Sequence, residues 1–362
     1  MLFLSTIIQL EINLFFCENL TVVSSEKSRI NWIDQLKGFG IILVIYGHNL
    51  PLIESYIYSF HMPLFFFIGG LFHGNQMNFS IVKKRAKQIL VPYFLWSSLL
   101  FLFWFFIGSK FGDSVSLNYS KLNQFLGVFY AQGGHEYMSW GAPMWFLPSI
   151  FLTFLFFGFV RKIKGLKYQI ICLIVLISLG FFIPRVLKIH VIWSLDVSLV
   201  SLFFYASAFY LKNFILHNTA LKHENLGFIF LFVAHLICSF YLLVKIDMFR
   251  SIYSNEFLFL FNSSVAIGFW FLVFKNIKKI KKIKLLSFFG KNTIPILSLH
   301  IRMLTVVKLF LLLFLGFSTF NFNEYEKVIL VVVQLALLYP IILFTNKFAP
   351  ILNGKIKAKA RD

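Results

Sequence analysis

Long apolar runs alternate with short polar segments along almost the whole chain. A helix needs about 20 mostly apolar residues to cross a bilayer, because it rises only ~1.5 Å per residue. The pattern predicts an all-α fold, a polytopic integral membrane helical bundle of about ten transmembrane helices. Their predicted ranges are 36–53, 56–74, 88–109, 144–160, 168–184, 192–211, 226–244, 256–274, 288–315 and 327–346.

The ninth predicted helix has the least regular pattern. It begins with the polar residues GKNT at 290–293 and carries Pro295, His300 and Arg302. Proline removes a backbone donor, and irregular backbone at membrane depth is tolerated only where protein or a water-filled cavity surrounds it. We therefore expect a broken or partly re-entrant helix here.

The composition supports a membrane protein and changes the meaning of the charge. Hydrophobic residues make up 59% of the 362 residues and charged residues only 13%, against about 25% charged in soluble domains. A formal net charge of +20 would indicate nucleic acid binding in a soluble protein. Here the basic residues are typical anchors between spans, so we expect the lipid bilayer and no nucleic acid as a partner.

Basic residues concentrate in every second loop. With the N terminus inside, the segments that face the cytoplasm contain 25 of the 34 Lys and Arg residues. Cytoplasmic loops carry such an excess, so the asymmetry predicts an N-in and C-in topology in the cell (plasma or inner) membrane. The predicted organisation is a poorly determined leader at 1–28, a transmembrane domain at 29–350 and a basic cytoplasmic tail at 351–362.

Ionisable residues cluster in the first two predicted helices. Lys37 and His48 are eleven residues apart, which is close to three helical turns, and Asp34 precedes Lys37 by three residues. All three therefore share one helix face, with a rise of ~16 Å from Lys37 to His48. If Lys37 lies at the cytoplasmic interface, His48 lies near the middle of the bilayer. Ionisable groups are costly in lipid, so this stripe predicts a functional site.

A neutral histidine at this depth can take a proton from a hydroxyl nucleophile. The alternative is a histidine that only forms a hydrogen bond between helices, and the neighbouring charged residues favour function for His48. His61 lies two residues before Pro63, where a kink is expected. The pattern leaves open whether His61 lines a cavity or forms a structural hydrogen bond.

Other residues have a functional and a structural interpretation. The KKRAK run at 83–87 can bind phosphates or simply anchor the topology. His135 and Glu136 fit a solvated loop better than an acceptor site, and interfacial tryptophans such as Trp145 are common. His300 and Arg302 need a partner if buried, for which Glu256 and Asp196 are candidates. The cysteines stand singly at 17, 172 and 238, so no disulfide framework or metal site is expected.

Several segments, in order, resemble the membrane acyltransferase-3 family. Lys37-x10-His48 and FHMPLFFFIGG at 60–70 resemble its beginning, and GKNTIPILSLH at 290–300 resembles a late segment. Between them, KKRAKQILVPYFLW at 83–96 and GAPMWFLPSIF at 141–151 also resemble family elements. The nearest branch is the fucose 4-O-acetylase-like or exopolysaccharide O-acyltransferase branch.

The resemblance implies an enzyme that moves an acyl group, most simply acetyl, from cytosolic acyl-CoA to a sugar hydroxyl of a cell-surface polysaccharide or its lipid-linked precursor. Acyl-CoA is then a donor substrate rather than a bound cofactor, and other polysaccharide-synthesis membrane proteins are candidate partners. His48 is the implied general base. The other implied residues are Asp34 and His61 for catalysis, Lys37, Lys84, Arg85 and Lys87 for acyl-CoA, and Trp145, His300 and Arg302 as acceptor-side or structural candidates.

Three lysines depart from the family pattern. Lys37 stands where many relatives have arginine, and Lys84 and Lys87 occupy paired-arginine positions. Lysine is a point charge that cannot form the bidentate fork of arginine. The resemblance therefore implies phosphate binding at these positions but not its detailed geometry.

A transporter that exports a glycan or an acyl group without CoA chemistry is the alternative. Kinked helices and buried ionisable groups also occur in transporters, but there they are distributed over two related halves. In this chain the densest group lies in the first two predicted helices. A non-catalytic sensor with the same fold is the third and least favoured possibility.

Overall fold

The computed structural model describes residues 30–110, 113–187, 191–217, 224–242, 246–276, 283–317 and 319–355. Contacts divide the chain into the units Met1–Asn31 and Trp32–Asp362, and nearly all the described residues belong to the second. The predicted leader at 1–28 lies outside the described residues, as do residues 356–362 of the predicted basic tail.

The described residues are almost entirely helical. In the first half the helices are α1 (Asn31–Gly47), α2 (Glu54–Tyr58), α3 (His61–Leu71), α4 (Phe79–Phe106), α5 (Asp113–Ser116), α6 (Lys121–Tyr130), α7 (His135–Met138), α8 (Phe146–Val160) and α9 (Leu166–Leu187). In the second half they are α10 (Leu195–His217), α11 (Glu224–Ile237), α12 (Glu256–Asn276), α13 (Lys284–Lys291), α14 (Thr293–Leu315) and α15 (Glu324–Phe348).

Shorter elements complete the chain. One antiparallel hairpin lies between α11 and α12, with Ile246 of strand β1 (Ile246–Asp247) opposite Tyr253 of strand β2 (Ile252–Tyr253). The sequence pattern did not predict it. Single turns of tighter or wider helix occur at Gly108–Lys110, Ala142–Trp145, Ile192–Ser194, Cys238–Leu242 and Pro350–Asn353.

Seven helices of the described part are long and apolar enough to cross a membrane, which confirms an all-α, polytopic membrane bundle. They span Phe79–Lys110, Ala142–Val160, Leu166–Leu187, Ile192–Leu216, Glu256–Asn276, Thr293–Leu315 and Glu324–Phe348. A shorter apolar helix covers Ile229–Tyr241. The predicted number of ten spans and their sidedness remain predictions.

The first two predicted helices differ from their expected ranges. Helix α1 ends at Gly47, because Leu50 takes a left-handed conformation with φ 53° and Pro51 follows it. The second predicted helix is split into α2 and α3, with the break at 59–60. The kink expected at Pro63 is wrong, since this proline lies in the first turn of α3, where no backbone donor is lost.

The expected break in the ninth predicted helix is confirmed. Helix α13 ends at Lys291 and α14 begins at Thr293, with Asn292 between them. The Asn292 amide nitrogen donates to the Phe288 carbonyl over 2.7 Å. Its amide oxygen accepts from Asn346, Asn353 and Lys355. The polar residues of the motif thus form a hydrogen-bonded node that ties the break to the C-terminal turn.

Glycines bring helix backbones into direct contact around the future site. A Cβ atom on Gly290 would collide with the Asp34 carbonyl, and one on Gly38 with the Leu286 carbonyl, so α1 and α13 touch backbone to backbone. Gly70 likewise lies against the Tyr205 carbonyl, which seats α3 on α10. Small residues permit such close approach in membrane bundles. The helices that carry the predicted site residues are therefore held tightly.

The segments between helices meet in two groups at opposite ends of the bundle. At one end, Lys327 Nζ donates to the Leu50 carbonyl over 2.9 Å, and Trp193 Nε1 donates to the Phe129 carbonyl over 2.8 Å. At the other end, Lys212 Nζ donates to Asn75 Oδ1 over 2.9 Å. The first group consists of segments predicted to lie outside, and the second of segments predicted to be cytoplasmic. The alternation of the helices agrees with the charge pattern.

Candidate active site

A cavity of about 360 Å³ lies at the predicted outer end of the bundle and brings several predicted residues together. His48 borders it from the turn after α1, where its backbone N–H donates to the Val44 carbonyl over 3.2 Å. His61 from the first turn of α3 and Trp145 before α8 line the same cavity. Three residues far apart in sequence thus face one space.

His61 is fixed in a single tautomer by its backbone contact. Its Nδ1 lies 2.7 Å from the Ile57 carbonyl oxygen, so Nδ1 carries the proton and donates. The lone pair is then on Nε2. The Tyr58 ring lies 5.2 Å from the His61 ring, centre to centre. His61 therefore both lines the cavity and forms a structural hydrogen bond, which is within α2–α3 rather than between distant helices.

His300 on α14 lies directly beside His48. The two ring centres are 5.0 Å apart, and His300 is only 1% exposed. Its Nδ1 lies 3.0 Å from both the Ile296 and Leu297 carbonyl oxygens, so Nδ1 donates and Nε2 is the acceptor. Among the described residues that buried Nε2 has no hydrogen-bond partner. Most buried polar atoms are paired, so an unpaired acceptor beside His48 indicates a functional arrangement.

Arg302 has a different partner from the carboxylates considered from the sequence. Its Nη2 donates to the Ser139 carbonyl over 2.8 Å, which ties α14 to the segment that carries Trp145. Glu256 instead pairs with Arg185, and Asp196 accepts from the Ser251 hydroxyl. The expected pairing is wrong because Arg302 points to the segment before α8, where a main-chain carbonyl accepts its hydrogen bond.

Asp34 and Lys37 lie at the opposite end of α1 from His48. Lys37 Nζ is 3.1 Å from Asp34 Oδ1, and Asp34 is buried beneath it. The fourteen residues from Asp34 to His48 correspond to a rise of ~21 Å. The structure therefore pairs the two predicted residues with each other but does not bring Asp34 to His48.

The predicted donor residues of α4 separate into two kinds. Lys84 and Lys87 are exposed at the predicted cytoplasmic end, whereas Arg85 is half-buried over the Phe154 ring at 5.8 Å. The Arg85 Nε has no hydrogen-bond partner among the described residues. Arg161 and Lys212 both lie over the Phe209 ring, at 4.8 and 4.4 Å. Sequence reasoning missed these two cations, because they come from different helices.

Two further cavities adjoin the first. A narrow apolar one of about 30 Å³ shares Val44, Met62 and Leu297 with the His48 cavity and extends to Thr293, beside the α13–α14 break. A polar one of about 280 Å³ lies on another side of His48 and is lined by Lys308 and other residues of α14, α15 and the segment between them. His48 is thus the wall between two polar cavities, and an apolar gap leads inward from one of them.

Sequence reasoning also missed the residues at the outer edge of the His48 cavity. Glu54 and Tyr58 of α2 and the hairpin residues from Asp247 to Arg250 line it, together with His135. The signal that could have found the hairpin is the pair of opposite charges in a very short segment between two apolar runs. Among the described residues, no group of three or more His, Cys, Asp or Glu side chains is arranged to hold a metal ion.

Comparison with known proteins adds to this geometry. A family model described as an acyltransferase domain, that of acyltransferase family 3, matches residues 30–350. The nodulation protein NolL of Sinorhizobium fredii (strain NBRC 101917 / NGR234) is 27% identical over 222 residues, which are 53% of this chain and 52% of NolL. The chain thus aligns with about half the length of that curated relative. No solved structure matches the chain. Since the family model covers nearly all of the helical bundle, the chain belongs to the membrane acyltransferase-3 family.

Proposed function

We propose that this protein is a membrane O-acyltransferase that moves an acyl group, most simply acetyl, from cytosolic acyl-CoA to a sugar hydroxyl of a cell-surface polysaccharide or its lipid-linked precursor. The observation that carries the proposal is the position of His48. It lies in the family's Lys37-x10-His48 pattern and borders a polar cavity at the predicted outer end. The plasma or inner membrane is the proposed location.

In this proposal His48 acts as the general base. Its imidazole takes the proton from the acceptor hydroxyl while that oxygen attacks the thioester carbonyl carbon. The tetrahedral intermediate then expels the CoA thiolate, which takes the proton back from His48. The acyl–oxygen ester has replaced the acyl–sulfur bond, and no redox change occurs. His61 and His300 contribute neutral rings with Nε2 acceptors on either side of the reacting groups.

The donor is proposed to approach from the opposite end. Lys37, Lys84 and Lys87 supply positive charge for the CoA phosphates at the predicted cytoplasmic face, and Arg85 adds a guanidinium. Asp34 holds Lys37 in place across 3.1 Å. The narrow apolar cavity between Thr293 and Met62 suits the uncharged end of the donor. It leads towards the His48 cavity, so the thioester and the hydroxyl can meet there.

The test is transfer of radiolabelled acetyl from acetyl-CoA to glycan in membranes that contain the full chain. We expect His48→Ala to lower labelling by about 100-fold or more, because general-base catalysis contributes at least that much. The matched control is His235→Gln, since His235 is buried between α11 and α12, where its Nδ1 bonds to Asn262 over 3.1 Å. This variant should keep near-normal labelling.

Undiminished acetylation by a correctly inserted His48→Ala protein would overturn the proposed mechanism. A second candidate, export of a glycan without CoA chemistry, draws on one observation, the two polar cavities that meet at His48. Glycan flux across the membrane without any labelled ester would favour export over acyl transfer.

A further inference from the structure

The β1–β2 hairpin forms one edge of the His48 cavity. Four successive residues, from Asp247 to Arg250, line the cavity. The Phe249 ring lies 6.2 Å from the Trp145 ring, and a Cβ atom on Gly133 would collide with it. Gly133 has φ +82°, a conformation that favours glycine. A glycine seat and an aromatic contact thus fix the hairpin over the cavity.

The base of the hairpin is anchored in the protein interior. Tyr253 of β2 packs on Phe259 with ring centres 4.9 Å apart. Burial raises the pKa of the Tyr253 phenol well above its usual range, and Asp196 and Asp247 raise it further. The phenol therefore stays neutral at physiological pH. An anchored hairpin can hold its charged residues at defined positions around the cavity.

The charged groups at this edge are two carboxylates and one guanidinium. Arg250 Nε lies 3.6 Å from Asp247 Oδ2, and the Arg250 backbone N–H donates to Asp247 Oδ1 over 3.3 Å. Glu54 approaches from α2, and all three residues lie close enough to the Tyr58 phenol to interact with it electrostatically. One negative charge is thus in excess. His135, His48 and His61 are the other groups around the cavity that can take up a proton.

We propose that the hairpin and Glu54 form an acceptor-selecting rim that favours uncharged glycans over glycans that carry carboxylates. The inference rests on the proposed acyl transfer and names the class of its acceptor. Hydroxyl groups of a sugar can donate to the carboxylates of Glu54 and Asp247 and accept from Arg250. A uronic acid would bring a further negative charge towards the two carboxylates, and like-charge juxtaposition is costly. Phe249 and Trp145 add apolar surface for the C–H face of a pyranose ring.

The test compares two tetrasaccharides of similar length, neutral cellotetraose and acidic tetragalacturonate, as acceptors for the purified full chain with radiolabelled acetyl-CoA. We expect wild type to use cellotetraose with a kcat/KM about tenfold higher or more, which corresponds to ~1.4 kcal/mol. Glu54→Gln should reduce that ratio severalfold by improving use of the acidic substrate. Asp247→Asn should act in the same direction.

The matched control is Glu256→Gln, because Glu256 pairs with Arg185 away from this cavity. It should leave the ratio unchanged. A structural defect alone would lower both kcat/KM values together, so the ratio isolates the selection. Equal use of both tetrasaccharides by wild type, or an unchanged ratio in both Glu54→Gln and Asp247→Asn, would overturn the rim.

Failure of the proposed transferase activity gives a different result. If neither tetrasaccharide receives acetyl, equilibrium dialysis with tritium-labelled forms measures binding directly. Preferred binding of cellotetraose that weakens to equality in Glu54→Gln supports the rim while contradicting acyl transfer. Equal binding of the two probes, or binding of neither, overturns the rim itself.

Discussion

The histidines at the site differ in how their ring nitrogens are used. In His61 and His300 the backbone takes the Nδ1 proton, so each ring presents Nε2 as an acceptor. His48 lies in a turn and faces two cavities. A base that is held only by its own backbone benefits from a third group that fixes its orientation. The buried Nε2 of His300, 5.0 Å away between ring centres, is the group placed to do so.

We therefore predict that His300 is a positioning residue for His48. His300→Leu removes the acceptor and should lower kcat about tenfold or more, with little change in the KM for acetyl-CoA. His300→Gln keeps a polar atom near the Nε2 position and should recover part of the rate. Steady-state kinetics with the purified protein checks both. A raised KM with normal kcat, or no rescue by glutamine, would contradict this role.

Residue chemistry allowed the sequence to predict part of the site. An ionisable group in a membrane segment is costly enough to indicate function, and this argument led to His48 and His61, which do face one cavity. It could not lead to Glu54 or Arg250, because charged residues in short outer segments are common. Their meeting depends on how α2 and the hairpin fold over the cavity, which no local pattern encodes.

At the scale of elements, the contact between α1 and α13 determines where the site helices lie. Gly290 lies against the Asp34 carbonyl and Gly38 against the Leu286 carbonyl, so each helix fills the groove of the other. Asp34 and Lys37 lie on this same part of α1. Close backbone contact leaves no space for even one methyl group, so the elements that carry the donor side cannot separate without losing this packing.

We predict that Gly290→Ala destabilises the protein by about 1–3 kcal/mol through overpacking. The variant should show a lower apparent Tm in detergent and a weaker affinity for acetyl-CoA, because Lys37 shifts with α1. Gly227→Ala is the matched control, since a Cβ atom there meets nothing within 4 Å on α11. Equal Tm values for the two variants would show that the α1–α13 contact tolerates separation.

Element boundaries were predictable where a polar residue interrupts an apolar run. GKNT at 290–293 predicted the break between α13 and α14, because Asn292 must find hydrogen-bond partners. The break between α2 and α3 was not predictable, since the strongest local signal, Pro63, marks the first turn of a helix rather than its interruption. Proline has both roles, and only the neighbouring helices decide between them.

At the scale of the whole molecule, charge asymmetry and tertiary contacts agree on how the segments group. The hairpin, Glu54, His135 and Trp145 share one cavity, although they come from segments far apart in sequence. The Lys212 contact with Asn75 joins two segments predicted to be cytoplasmic. Alternate connections thus meet at opposite ends, as a bundle with alternating helix directions requires.

We predict that Ser254 faces the outside of the cell and Lys164 the cytoplasm. In a protein whose natural cysteines are replaced, Ser254→Cys should react with a membrane-impermeant maleimide in intact cells. Lys164→Cys should react only after permeabilisation, and both positions are exposed in the fold. The reverse pattern would invert the topology and place the His48 cavity on the cytoplasmic side.

The node around Asn292 has a consequence for the order in which the protein matures. Its partner Asn353 is synthesised 61 positions later, and Trp96 Nε1 also donates to the nearby Leu352 carbonyl over 2.9 Å. During vectorial insertion, the early helices and the first of the site histidines emerge long before these partners exist. The start of α14, and with it His300, can reach its final setting only once the last turn has been translated. Assembly of the site is thereby a late event in biogenesis, which keeps an incomplete chain catalytically silent while it is still on the ribosome.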